Sequence, residues 1–186
     1  MIRGDSAPDG AVDREAHSKF WIAAYTRPKS ERKAAKELGK TNIETYVPVQ
    51  NVTHQWSDRK KKIDIVVIPM IIFLRITEDD ILTVKKHPLV IKVLCLPGNK
   101  SPAKIPEDQI ENLRLMLKNA ETPVEFVGKS FKLTDRVMVK RGKLEGLIGK
   151  VERVSRGKAR LVVSIDLLGG AMVEISTEDL EIYDEN

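Results

Sequence analysis

The chain carries a single cysteine, Cys95, in 186 residues. One thiol excludes a disulfide framework and a multi-cysteine zinc site, and it fits a reducing, cytoplasmic setting. Cys95 lies in the apolar run VIKVLCL and reads as a core residue. Histidine is scarce as well. His17, His54 and His87 are scattered, with no HExxH, no paired CxxC and no glycine-rich phosphate loop ahead of a helix. Enzyme readings fail on that inventory, so no catalytic residue, metal or cofactor is expected. Long hydrophobic runs are missing too: IVVIPMIIFL, at 65–74, is too short to cross a bilayer as a helix and holds Pro69 near its middle. The opening MIRGDSAPDGAVDREAHS, residues 1–18, lacks the apolar centre of a signal peptide and reads as a flexible arm.

What is present is enough hydrophobic sequence, 41%, to build one ordinary domain or two small ones. The net charge of +5 lies entirely in the first part: residues 1–129 hold 22 Lys and Arg against 17 Asp and Glu, whereas residues 130–186 hold 10 of each. A modest positive excess suits a polyanion partner without requiring one.

The periodicity divides the chain in the same way. FWIAAYT (20–26) reads as a buried strand, and Pro28 with Ser30 opens an Ala/Lys/Glu-rich helix closed by Gly39. IETYVPV (43–49) reads as a strand interrupted by Pro48. VTHQW and KIDIVVI flank the polar SDRKKK as a hairpin with a charged tip. MIIFLRI (70–76) is a further strand, and EDDILTVKKH is a short helix, acidic at its start, basic at its end and stopped by Pro88. VIKVLCL (90–96) is again a strand. IPEDQIENLRLMLKNA is a helix with the apolar stripe Ile110, Leu113, Leu117. This α+β order is most simply one antiparallel sheet with helices packed on it, over residues 19–120.

Residues 121–132, ETPVEFVGKSFK, show no period and read as a linker. In 133–186 every run is strand-like: VMVKR, LIGKVERV, ARLVVSI, AMVEIS and DLEIY, which predicts a small five-stranded barrel. Glycine weakens strands unless the backbone needs it, so Gly142, Gly146 and Gly149 read as a turn and two points of close approach or coiling.

The stretch DRVMVKRGKLEGLIGKVERV resembles the KOW motif of elongation factors and ribosomal proteins. In the first module, Trp21 in a strand, Glu31 and Leu38 on a helix, YVP at 46–48, IPMIIFL, VIKVL and IPEDQIENL together resemble the N-terminal (NGN) domain of NusG proteins. The combination resembles the NusG family over nearly all of residues 19–183. Pro69-Met70-Ile71 stands where that family has Pro-Gly-Tyr, and this departure, with the arm and ARLVVSIDLLGGA, looks closer to specialised paralogues of UpxY and RfaH type.

The resemblance implies a ferredoxin-like first domain and an SH3-like barrel, in a monomer that binds and does not catalyse. It implies that the first domain docks on the clamp helices of bacterial RNA polymerase, at positions matching Trp21, Tyr25, Tyr46, Pro48, Ile68, Ile71 and Phe73. Each of these also reads as core, Trp21 above all, because a sheet residue faces only one side. Two basic groups suit phosphates of upstream or non-template DNA: Arg27, Lys29, Lys33, Lys36 and Lys40 around the first helix, and Arg59, Lys60, Lys61 and Lys62 at the hairpin tip. In the family the barrel meets Rho or a ribosomal protein. The implied role is antitermination and processive elongation of a specific operon, such as one for capsular polysaccharide. The alternative is a KOW-containing ribosomal or ribosome-assembly protein that binds structured RNA. It would be expected to spread positive charge over the barrel, and this barrel is neutral.

Overall fold

The structure, a computed structural model, describes residues 18–55, 59–127 and 135–183. The arm read over 1–18 lies outside the described residues except for Ser18, as does the 128–132 part of the linker.

Strand β1 (Phe20–Thr26) pairs antiparallel with β5 (Ile71–Ile76) on one side and with β6 (Val90–Val93) on the other; β2 (Glu44–Tyr46) completes a sheet of order β2-β5-β1-β6. Side chains alternate across a strand, so β1 supplies both faces. Ile22 and Ala24, with Ile72, Leu74 and Ile76, lie under helices α1 (Glu31–Gly39) and α2 (Asp80–Lys86), which contribute Ala34, Leu38 and Val84. Trp21 and Ala23, with Ile71 and Phe73, pack toward α3 (Glu107–Asn119) through Ile110, Leu113, Met116 and Leu117. The expected apolar stripe of that helix is its buried face.

Proline sets two boundaries. IETYVPV is not one strand: Pro48, with no N–H to donate, separates β2 from β3 (Val49–Gln55). Strand β3 pairs with β4 (Lys60–Val66) as a hairpin that forms its own two-stranded sheet. Pro88 ends α2, with His87 already extended at ψ 129°. The strand expected over 90–96 stops at Val93. Cys95 takes part in the sheet pattern only through an isolated bridge to Pro102 and is half-buried, its thiol donating to the Val93 and Lys100 carbonyls, so it is not the core residue expected.

The C-terminal strands β8 (Arg136–Val139), β9 (Ile148–Ser155), β10 (Lys158–Ile165), β11 (Gly169–Ser176) and β12 (Leu180–Ile182) answer the five expected runs. A sixth joins them. β7 (Glu125–Val127) pairs with β11 through Glu125, Phe126 and Val127, giving the order β12-β8-β9-β10-β11-β7. Part of the stretch read as linker is therefore sheet: three residues are too few to show a period, and Pro123 and Gly128 beside them suggest a loop. Gly142 turns the chain at φ +91°. Gly149 is needed for space: a Cβ there would lie 2.8 Å from the Val162 carbonyl oxygen and 2.9 Å from Leu161 Cδ1.

The barrel rests on α3. Asn112 Oδ1 accepts the Ile148 N–H at 3.2 Å, and Gln109 Oε1 accepts that of Asp166 at 2.9 Å. One apolar cluster runs from the Trp21 face of the sheet through α3 and Val124 into the barrel interior at Val137, Leu161 and Val173.

Candidate functional site

The register brings five of the seven polymerase candidates onto one face of the first sheet. Tyr46 stands opposite Phe73 and Phe73 opposite Ala23, while Ile71 stands opposite Tyr25 and Tyr25 opposite Lys92. Trp21, two residues from Ala23, shares that face and stands opposite Arg75, which is itself opposite Glu44. Ile68 joins the same cluster from the turn before β5, and Pro48 is buried where its carbonyl accepts the Val67 N–H.

Exposure divides the set. Trp21, Ile68, Ile71 and Phe73 are no more than 2% exposed, so they are core in this arrangement and not surface anchors. The physical reason is the third helix: its stripe needs an apolar partner, and the Trp21 face supplies one. Tyr25 and Tyr46 remain half-buried at the margin of the cluster.

Around them stands a charged network that sequence reasoning missed. Trp21 Nε1 donates to Glu107 Oε1 at 3.0 Å, and Arg75 reaches Glu107 at 3.2 Å and Glu44 at 3.6 Å. Arg114 reaches Glu44 at 3.1 Å with its guanidinium 5.0 Å from the Trp21 ring centroid and 4.9 Å from that of Tyr46. Tyr46 also stacks on Phe73 at 5.9 Å. Burial pushes the Tyr46 phenol up to about 12, partly offset by Arg114. The rim therefore offers aromatic edges and paired charges side by side, chemistry that suits a protein partner with both apolar and ionic groups. Nothing in the spacing of Glu44, Arg75, Glu107 and Arg114 announces the network, because its members come from three separated elements.

The second missed residue is Gln50. It is 3% exposed, and its amide both donates to the Thr122 carbonyl at 2.9 Å and accepts the Val124 N–H at 2.8 Å. It pins the segment entering the barrel to the base of the hairpin.

The basic candidates are on the surface. Arg27, Lys29, Lys33, Lys36 and Lys40 are exposed around α1, and Arg59, Lys60, Lys61 and Lys62 at the start of β4. Lys60, Lys61 and Lys62 are strand residues, opposite Gln55, His54 and Thr53, so the polar tip is shorter than expected. An Arg32–Asp64 pair at 3.3 Å ties α1 to the hairpin and sets the two basic groups on neighbouring elements.

Glu31 explains the turn before β5. Its carboxylate, 6% exposed, accepts the Met70 N–H at 2.7 Å, and Met70 adopts φ +62°, a left-handed conformation that favours glycine. Methionine thus occupies a glycine-type position.

The sequence model of the family described as transcription termination factor nusG matches residues 19–114, and that of the KOW motif matches residues 135–164. The chain belongs to the NusG family. It is 27% identical over 175 residues to the transcription termination/antitermination protein NusG of Rickettsia bellii, covering 87% of this chain and 89% of that protein. The NusG of Halalkalibacterium halodurans is 26% identical over 165 residues, covering 81% and 90%. A solved structure described as the domain interaction in Thermotoga maritima NusG matches with a TM-score of 0.52 at 18% identity, over 91% of this chain and 99% of that one, a likeness of fold. The NusG-type sheet with helices, followed by a β-rich KOW module, is thus both the expected and the observed architecture. Among the described residues no helix is long and apolar enough to cross a membrane.

Proposed function

We propose that this NusG-family chain is a transcription elongation and antitermination factor that docks on the clamp of bacterial RNA polymerase and acts by binding, not catalysis. The observation that carries the reading is the pairing of the two family modules in one chain, 19–114 followed by 135–164. Residues 19–120 form the polymerase-binding domain and 133–186 the KOW domain, which also takes in β7 from the joining segment 121–132. The docking surface is the rim of the Trp21 sheet face. Half-buried Tyr25 and Tyr46 make the contact, and Trp21, Pro48, Ile68, Ile71 and Phe73 hold that surface from beneath. Aromatic side chains with one apolar and one polar end suit such an interface.

The basic groups of α1 and the hairpin face upstream or non-template DNA while the first domain is docked. Exposed cations neutralise phosphates without reading sequence, so this contact adds affinity and salt sensitivity. Service to a particular operon, of the capsular polysaccharide kind, is supported by Met70: a chain that retains methionine at φ +62° departs from the glycine of the general pattern at the cost of backbone strain. The KOW barrel is left to meet Rho or a ribosomal protein.

The test is a purified transcription assay comparing the parent with a variant in which Arg59, Lys60, Lys61 and Lys62 are neutralised. The parent is expected to change pausing and read-through, and the variant to keep polymerase docking while losing a salt-sensitive part of that effect. A parent that leaves polymerase untouched overturns the reading.

A further inference from the structure

The neutral barrel is not uniform. Residues 150–160 hold five Lys or Arg (Lys150, Arg153, Arg156, Lys158, Arg160) against Glu152 alone, whereas residues 161–183 hold five acids and no Lys or Arg. The fold gathers Arg156, Lys158 and Arg160 at the turn end of the β9–β10 hairpin, whereas Lys150 stands opposite Val162 at the other end, and two features at the turn work against stability. Arg156 takes φ +50° in the two-residue turn with Gly157 at φ +75°, where Asn, Asp or Gly is the unstrained choice. Arg156 and Lys158 make no ion pair among the described residues, and Arg160 has only Glu152 at 3.7 Å. Beside them opens a cavity of about 440 Å³ lined by Ser155, Arg156, Lys158, Ala159, Arg160 and Glu174. The other end of β10 is occupied: Val162 and Ser164 border α3 at Gln109 and Asn112. No residue of α3 lines the cavity at the basic end.

We propose that this hairpin end is a second nucleic-acid contact, on the KOW barrel, that grips a phosphodiester backbone through Arg156, Lys158 and Arg160. Unpaired cations crowded at one turn are retained where a bound polyanion neutralises them, because each phosphate supplies the counter-charge the barrel withholds, and the left-handed Arg156 is the kind of strain that persists at functional sites. Guanidinium forks give two parallel hydrogen bonds to a phosphate, and Lys158 adds a point charge. A nucleic acid fits better than an acidic protein surface, since the cavity walls named above offer one small apolar side chain, Ala159, and that one is buried. The contact is sequence-blind, and its counter-ion release makes it salt-dependent. This proposal goes beyond polymerase docking and is tested without polymerase, so the two fail separately.

The experiment titrates the full chain into a short labelled single-stranded RNA and, in parallel, a short labelled DNA duplex, across a salt series. The comparison is with the double variant Arg156→Gly, Lys158→Ser. On the strand it uses, the variant is expected to bind roughly tenfold more weakly at low salt, with the slope of log affinity on log salt shallower by about 1.4 for RNA, two phosphate contacts at about 0.7 each. Its melting temperature should not fall, because Arg156→Gly removes the left-handed strain. Glu174→Gln, which removes the acid from the cavity wall, should tighten binding. The better-bound probe tells RNA from DNA as the source of the backbone. A parent that binds neither probe, or a folded double variant that matches the parent in affinity and salt slope, overturns the proposal.

Discussion

Phe73→Ala separates core from docking anchor. The ring is fully buried, stacks on Tyr46 at 5.9 Å and belongs to the cluster that joins the sheet to α3. Truncating a buried phenylalanine costs about 3–5 kcal/mol through lost transfer energy and the cavity left behind. Loss of the aromatic pair adds about 0.5–1.5 kcal/mol. Against a typical domain stability of about 5–15 kcal/mol, that is a large fraction. Urea denaturation followed by tryptophan fluorescence is the assay, with Trp21 as a reporter in the same cluster. The midpoint is expected to fall steeply with an unchanged slope, and polymerase binding to weaken only as the folded fraction falls. Phe73→Leu, which keeps most of the apolar volume, should lose much less. If Phe73→Ala unfolds at the parental midpoint yet no longer binds polymerase, the ring is a surface anchor and the burial argument is wrong.

Other outcomes follow from single residues. Gly149→Ala drives a methyl against the Val162 carbonyl oxygen, 2.8 Å from the ideal Cβ, and should lose about 1–3 kcal/mol in thermal or urea melts; stability equal to the parent would mean that the strands are not this close. Gln50→Ala leaves the Val124 N–H without its acceptor and should cost about 1–3 kcal/mol while speeding hydrogen exchange at that amide; unchanged exchange would refute the clamp. Tyr46 keeps its proton in the folded state up to about 12 against an ordinary 10.0, because burial disfavours the phenolate. Its contribution is full below pH 10 and is lost as pH rises through the folded value, so Tyr46→Phe should flatten the alkaline fall in stability between these limits. An equal fall in both proteins would show that Tyr46 is not the group responsible.

Much of the fold was legible because alternation and helical stripes are local. FWIAAYT, MIIFLRI and the Ile110–Leu113–Leu117 stripe each state their element and its buried side, and the KOW stretch announces strand, turn and strand through Gly142. β7 escaped because three residues carry no period, and Cys95 misled because an apolar run does not say where a strand loses its partner. For the candidate site, sequence located the residues of one sheet face but not their cover. Whether Trp21 or Phe73 meets solvent depends on where α3 lies, and that follows from tertiary packing. The Arg114–Glu44–Arg75–Glu107 network and the Gln50 clamp join residues far apart in the chain, each unremarkable among its neighbours.

The most direct test of the central claim is equilibrium binding of the full chain to purified bacterial core RNA polymerase, with the double variant Tyr25→Ala, Tyr46→Ala beside it. The account expects a saturable complex for the parent and, for a variant shown by circular dichroism to remain folded, an affinity about tenfold or more lower, as the loss of two aromatic interface contacts at more than 1 kcal/mol each implies. A parent that fails to bind polymerase but sediments with ribosomal subunits would contradict it.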